Sequence, residues 1–181
     1  TEYVYDAQGE RVVKDGGSGN VSVYPSQTYT QRNKSAYKHI FVGETRLVSK
    51  LVQPTGTAEN GQFYFQTDHL GSTSYGTDHT GEVVEHAKYL PSGESWAGER
   101  TTAIPSPYGF AGKELDAETG LHYFGARYYD ARTAVWQSAD PQLHGYLDGL
   151  PAEGVGNPGN LNAYTYASNN PVRISDPDGR W

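Results

Sequence analysis

Polar and apolar positions alternate along most of this chain, and the alternation is broken at short intervals by Gly and Asp. Tyr3 and Tyr5 lead to the turn Asp6-Ala7-Gln8-Gly9-Glu10, and Val12-Val13 follow it. His39-Ile40-Phe41-Val42 runs to Gly43-Glu44, and Arg46-Leu47-Val48 resumes beyond. Phe63-Tyr64-Phe65 precedes Asp68-His69-Leu70-Gly71, Ser72-Thr73-Ser74-Tyr75 precedes Asp78-His79-Thr80-Gly81, and Val83-Val84 continues. Short runs of β-branched and aromatic residues separated by Gly- and Asp-containing turns predict successive β-hairpins. No window of about a dozen residues keeps apolar positions at helical spacing without a Gly or Pro intervening. The loose repeat of the Asp-His-x-Gly turns suggests hairpins stacked side by side, each needing neighbours to bury one face.

Two segments lack the alternation. Asp15-Gly16-Gly17-Ser18-Gly19-Asn20 reads as a flexible hairpin tip, and the Gly- and Pro-rich stretch 145–159 reads as an extended loop. Asn162-Ala163-Tyr164-Thr165-Tyr166 predicts one further strand or a short turn of helix.

Composition sharpens this picture. Only 35% of the 181 residues are hydrophobic and mean hydropathy is −0.71, yet aromatics reach 13%, with 15 Tyr. Such a chain is not composed like a disordered polar tract, so aromatic side chains are being packed. The absence of Cys excludes a disulfide framework, a thiolate zinc site and a cysteine nucleophile. The 14 basic and 21 acidic residues are interspersed, for a net charge of −7, which argues against a nucleic-acid partner. No stretch approaches the roughly 18 apolar residues of a membrane-spanning helix. A sequence that begins with Thr and holds no Met is expected to be a piece of a longer chain.

From Phe110 the chain reads Phe-Ala-Gly-Lys-Glu-Leu-Asp-Ala-Glu-Thr-Gly-Leu-His-Tyr-Phe-Gly-Ala-Arg-Tyr-Tyr-Asp, followed by Val135-Trp136-Gln137-Ser138-Ala139-Asp140-Pro141. With Asp68-His69-Leu70-Gly71-Ser72-Thr73 upstream, and Asn162-Ala163-Tyr164, Asn169-Asn170-Pro171 and Asp176-Pro177-Asp178-Gly179 downstream, this closely resembles the core domain of the Rhs/YD-repeat family. That family includes bacterial Rhs polymorphic toxins, the C component of insecticidal toxin complexes and, more distantly, the teneurins. The resemblance implies an all-β fold, stacked β-hairpins forming the C-terminal segment of a spiralling YD-repeat shell. It divides the chain into shell-wall hairpins at 1–60 and the repeat-associated core at 61–181. It also implies a toxin domain beyond the core, partners in the chain's own N-terminal shell repeats, in that toxin and in a secretion-system spike or adaptor, and secretion or delivery to target cells.

Members of the family cut themselves at the core's C-terminal boundary with chemistry resembling that of aspartyl proteases. Carried over by motif, the catalytic residues are Asp140, Asp176 and Arg127, and the cut falls after Trp181, so the end of the chain is expected to be a product end. No metal or cofactor is called for. The need for two carboxyls is independent of the family: peptide hydrolysis requires a base to activate water and an acid to protonate the leaving amine. Two carboxyls held close tend to share one proton, and a guanidinium beside them would bias which acts as base. Because the substrate is the enzyme's own tail, tethering replaces a binding step. Asp140 and Asp176 lie farther apart in sequence than the family pattern leads one to expect, and the excess falls in 145–159.

Plainer readings stand beside these. Asp before Pro is a common turn former. Arg127 has Asp130 and Glu118 as alternative partners, and Asp178 is a neighbouring carboxyl by spacing alone. His69 and His79 are turn residues or metal ligands. Trp96, Trp136, Tyr123-Phe124 and Tyr128-Tyr129 are either a sugar platform or packing between hairpins and the shell interior. The rival function is a non-catalytic encapsulation or glycan-binding adhesion module.

Overall fold

The computed structural model describes residues 1–53, 61–100, 106–149 and 154–180. Ten strands, β1 (Glu2–Tyr5), β2 (Arg11–Asp15), β3 (Val21–Ser26), β4 (Tyr29–Arg32), β5 (Ser35–Val42), β6 (Thr45–Gln53), β7 (Gln62–Thr67), β8 (Thr73–Thr77), β9 (Val83–Tyr89) and β10 (Ser95–Arg100), form one antiparallel sheet in strict chain order. A second sheet, also in chain order, holds β11 (Glu114–Asp116), β12 (Leu121–Tyr123), β13 (Tyr128–Asp130) and β14 (Val135–Trp136). The fold is the all-β succession of hairpins that the alternation predicts.

The repeated turns share one mechanism. Asp6, Asp68 and Asp78 each accept, through Oδ1, the backbone N–H groups two and four residues on, at 2.8–3.1 Å. Three residues after each Asp stands a Gly at φ between +85° and +89°. The carboxylate thus replaces the hydrogen bonds the turn takes from the ladder, and Gly supplies the left-handed backbone that other side chains resist.

The face of the large sheet turned toward the small one is polar, not apolar. Arg11 of β2 pairs with Asp116 at 2.6 Å and Glu114 at 3.0 Å, and Lys14 pairs with Asp116 at 2.9 Å and Glu114 at 3.4 Å. Tyr24 donates to Glu114 at 2.9 Å, and the Arg11 guanidinium lies 4.2 Å from the Tyr123 ring centre. Further along, Arg46 covers the Phe65 and Tyr108 rings, while buried His39 sits between Thr30 and Ser49 at 2.9 and 2.8 Å. Burial alone would cost these charges heavily; matched partners on both sheets offset it.

The apolar core lies within the small sheet and the segments behind it: Phe110, Phe124, Tyr129, Ala131, Trp136, Tyr166 and Ala167. Most of its rings meet edge-on or tilted, for example Phe124 with Trp136 at 5.1 Å and Tyr129 with Tyr166 at 4.4 Å, while Phe110 stacks on Tyr129 at 6.1 Å. Tyr129 donates to the Ser92 carbonyl at 2.7 Å and anchors this core to the turn after β9.

Two expectations change and a third, for 162–166, is narrowed. Within 145–159 the described residues form helical turns instead of an open loop: the end of α1 (Leu143–Leu147) and short 3₁₀ turns at 154–156 and 158–161. Helices of one turn cannot show periodicity, and local caps such as Asn157 accepting from Gly159 N–H specify them. Residues 162–166 make a turn with a single bridge, Thr165 to Val135, and not a full strand. Trp96 does not pack inward: it is 73% exposed on the edge strand β10, whereas Trp136 is 1% exposed.

Candidate functional site

Arg127, Asp140 and Asp176 come from three segments that meet beside the aromatic core. Arg127 ends the β12–β13 connection, Asp140 precedes α1, and Asp176 lies near the end of the final described segment. The Arg127 guanidinium lies 4.1 Å from the Trp136 ring centre, so the core residue that β14 supplies fixes the plane of the cation. Nη1 pairs with Asp140 Oδ2 at 3.4 Å and Nη2 with Asp176 Oδ2 at 3.2 Å. One guanidinium therefore joins both carboxylates. Asp130 instead pairs with Arg132 and Glu118 with Lys14, so neither alternative partner for Arg127 is adopted.

The two carboxylates differ in setting. Asp176 is fully buried, and its Oδ1 accepts the backbone N–H of Asp178, Gly179 and Arg180 at 3.3, 2.8 and 3.2 Å. Asp140, whose side chain is 11% exposed, accepts Gln142 N–H at 2.7 Å through Oδ1. Tyr146 of α1 stands close by; burial and the nearby Asp140 raise its phenol above the ordinary range.

The backbone of the tail is bound to the same group. Arg127 Nε–H donates to the Gly179 carbonyl at 2.7 Å, and Ala126 N–H donates to the Asp178 carbonyl at 3.0 Å. The approach leaves little room for side chains: a Cβ at Gly125 would come within 3.1 Å of Asp178 O, and one at Gly179 within 3.0 Å of Arg127 N. Trp181 lies outside the described residues. The arrangement brings two carboxylates and a cation against the chain's own backbone, a setting for acid–base chemistry on that backbone. Asp178 points elsewhere, pairing with Arg180 at 3.5 Å. His69 Nε2–H donates to the Val172 carbonyl at 2.7 Å and ties a turn of the large sheet to the segment that leads into the tail.

Sequence reasoning missed the partners of Lys113 and the ion pairs of Glu114 and Asp116. A signal existed: Glu114 and Asp116 alternate in a three-residue strand, and Arg11 and Lys14 bracket Val12-Val13, charges at positions where a packed sheet would otherwise bury apolar groups.

Residues 1–172 match the family described as Teneurin YD-shell, a span that includes Arg127 and Asp140 and stops before Asp176. The toxin subunit YenC1 of Yersinia entomophaga is 33% identical over 98% of this chain and 19% of that protein. The tRNA nuclease WapA of Bacillus subtilis (strain 168) is 33% identical over 99% of this chain and 7% of its own length. Among solved structures, the TcdB2-TccC3-Cdc42 crystal structure superposes with a TM-score of 0.75 at 26% identity, covering 98% of this chain and 9% of the other. The pore of the Photorhabdus luminescens Tc holotoxin gives 0.77 at 27% identity, with the same coverage. The chain spans less than a fifth of the length of these relatives.

Proposed function

This chain belongs to the Rhs/YD-shell family, and from that premise we propose that it is the core of an Rhs-type toxin protein that encloses a downstream toxin and frees it by cutting its own backbone after Trp181. In this reading residues 61–181 are the cutting core and 1–60 belong to the shell wall. The natural partners are the preceding shell repeats, the enclosed toxin and a secretion-system spike or adaptor, with secretion or delivery to target cells as the route. The observation that carries the proposal is the single guanidinium of Arg127, which engages Asp140, Asp176 and the Gly179 carbonyl together.

The reaction is a single hydrolysis. Asp140, the carboxyl open to solvent, takes a proton from water as the water oxygen adds to the carbonyl carbon. The C–N bond then breaks as the departing nitrogen takes a proton from the second carboxyl, Asp176, which enters the reaction protonated and leaves it ionised while Asp140 keeps the proton taken from water. Arg127 offsets the charge of whichever carboxyl is ionised, Asp140 at the start and Asp176 at the end, and holds the tail in register. In full-length protein, Asp140→Asn and Asp176→Asn are expected to leave one uncut band on a denaturing gel, with thermal melts confirming that both fold. Normal processing of both variants overturns the proposal, and an intact mass that places the new terminus elsewhere than Trp181 overturns the cut position.

One observation favours a second reading. Asp176 Oδ1 already accepts three backbone N–H groups and Oδ2 faces Arg127, so Asp176 must give up one of these bonds to deliver a proton. A non-catalytic shell module, with the Asp176 turn as a purely structural clamp, would show unprocessed wild-type protein and a large loss of stability on Asp176→Asn.

A further inference from the structure

Three successive carbonyls of the tail are each held by a donor from the small sheet. Asp178 O takes Ala126 N–H and Gly179 O takes Arg127 Nε–H, as described above. The third, Pro177 O, accepts from the Nζ of Lys113, the residue before β11. The ammonium also lies 5.5 Å from the centre of the Phe124 ring, whose backbone begins the same β12–β13 connection that holds the other two carbonyls. Lys113 reaches this point across one wall of a cavity of about 560 Å³ between the two sheets, which Glu10, Glu44, Pro177 and Asp178 also line.

Lys113 is half-buried here. Burial works against its charge, and Glu44, Asp176, Asp178 and Glu10 support it. The ion pairs that dock β2 on β11 run through Glu114 and Asp116, not through Lys113. Its hydrogen bond falls on the tail.

We propose that Lys113 is a positioning residue: its ammonium fixes the register of residues 177–179 on the β12–β13 connection, and so sets where the backbone beyond them is presented for cleavage. The cleavage half of this inference rests on the reading given under Proposed function; the docking half does not. A charge-assisted hydrogen bond in a half-buried setting predicts an effect of up to roughly tenfold when it is removed.

The test uses full-length protein with Lys113→Met and Lys113→Arg, read by amide hydrogen exchange and by intact mass after processing. Expected for Lys113→Met is exchange faster by up to about tenfold across 175–180, unchanged exchange across 114–136, and cleavage slowed by a similar factor with ragged ends. Lys113→Arg, which keeps a cationic donor, should restore all three. Unchanged tail exchange in Lys113→Met overturns the inference whatever happens to processing, and so does loosening that spreads through 114–136, which would make Lys113 a general support of the fold. Faster tail exchange in Lys113→Met, together with normal processing of Asp140→Asn and Asp176→Asn, would sustain the docking role and remove the protease reading instead.

Discussion

Replacing Arg11 by Met removes the central cation of the interface between the two sheets while keeping most of the apolar stem. The Arg11 side chain is 1% exposed and that of Asp116 0%, so water cannot stand in for the lost guanidinium. In the native network Arg11, Lys14 and Arg32 face Glu114, Asp116 and Glu118. After the substitution Asp116 retains Lys14 at 2.9 Å, and Glu114 retains Lys14 at 3.4 Å, Arg32 at 3.5 Å and the Tyr24 hydroxyl at 2.9 Å. Breaking a buried pair costs about 3–5 kcal/mol when the survivor is orphaned. Because each carboxylate keeps a cation here, the low end applies, and loss of the contact with Tyr123 brings the expected cost to ~3–4 kcal/mol. Asp116→Asn should cost a comparable amount, and the double variant should fall short of the sum by about 2 kcal/mol, because removing both charges restores the balance. Urea titrations at pH 7 with a common m value measure all four corners of the cycle. A loss below about 1 kcal/mol for Arg11→Met, as for an exposed pair, would refute the view that buried ion pairs dock the sheets, and so would strict additivity.

Acid should destabilise the protein through two buried histidines. Burial, with Arg46 and Arg32 nearby, lowers His39 to about 3, and burial lowers His122 to about 4 despite Asp116 and Asp130. Both native values lie below the unfolded value of about 6.5, so this stability is complete above that pH and is lost as pH falls toward 4 and 3. Unfolding titrations should show a protein about 3 kcal/mol less stable at pH 5.5 than at pH 7.5, with His39→Gln flattening the slope; a flat profile in the wild type would contradict the assignment. Gly93→Ala forces a Cβ to 2.5 Å from Phe110 Cδ1 at φ +95°, whereas Gly9→Ala at φ +85° meets open space. Thermal melts should show ~1 kcal/mol lost at Gly9 and at least ~2 kcal/mol at Gly93, and equal losses would mean that the Phe110 ring is not held in place.

Much of the architecture was legible along the chain because its information is local. A strand announces itself by alternation and a turn by Asp three residues before Gly, and both need only a few consecutive residues; the ten-strand order follows, since each hairpin pairs with the next. The motif from Phe110 to Pro141 likewise contained most of the aromatic core and marked Arg127 and Asp140, and the Asp176-Pro177-Asp178-Gly179 motif marked the third residue of the candidate site. What no local pattern carries is which side chains from distant segments meet. The sequence left Arg127 with Asp130 and Glu118 as alternatives to Asp140 and Asp176, and only the packed structure, with Trp136 against its guanidinium, pairs it with Asp140 and Asp176. Trp96 and Trp136 are alike as residues, and the position of one on an edge strand and the other inside the small sheet separated them. Lys113 stood in plain view within the motif, but its carbonyl partner is far along the chain, and the polar docking of Arg11 and Lys14 on Glu114 and Asp116 is likewise a long-range pairing. Local sequence determined the strands and turns, because short-range sterics and hydrogen bonds decide them; tertiary structure alone decided the charge pairs, because their energies depend on burial and proximity that exist only once the sheets have met.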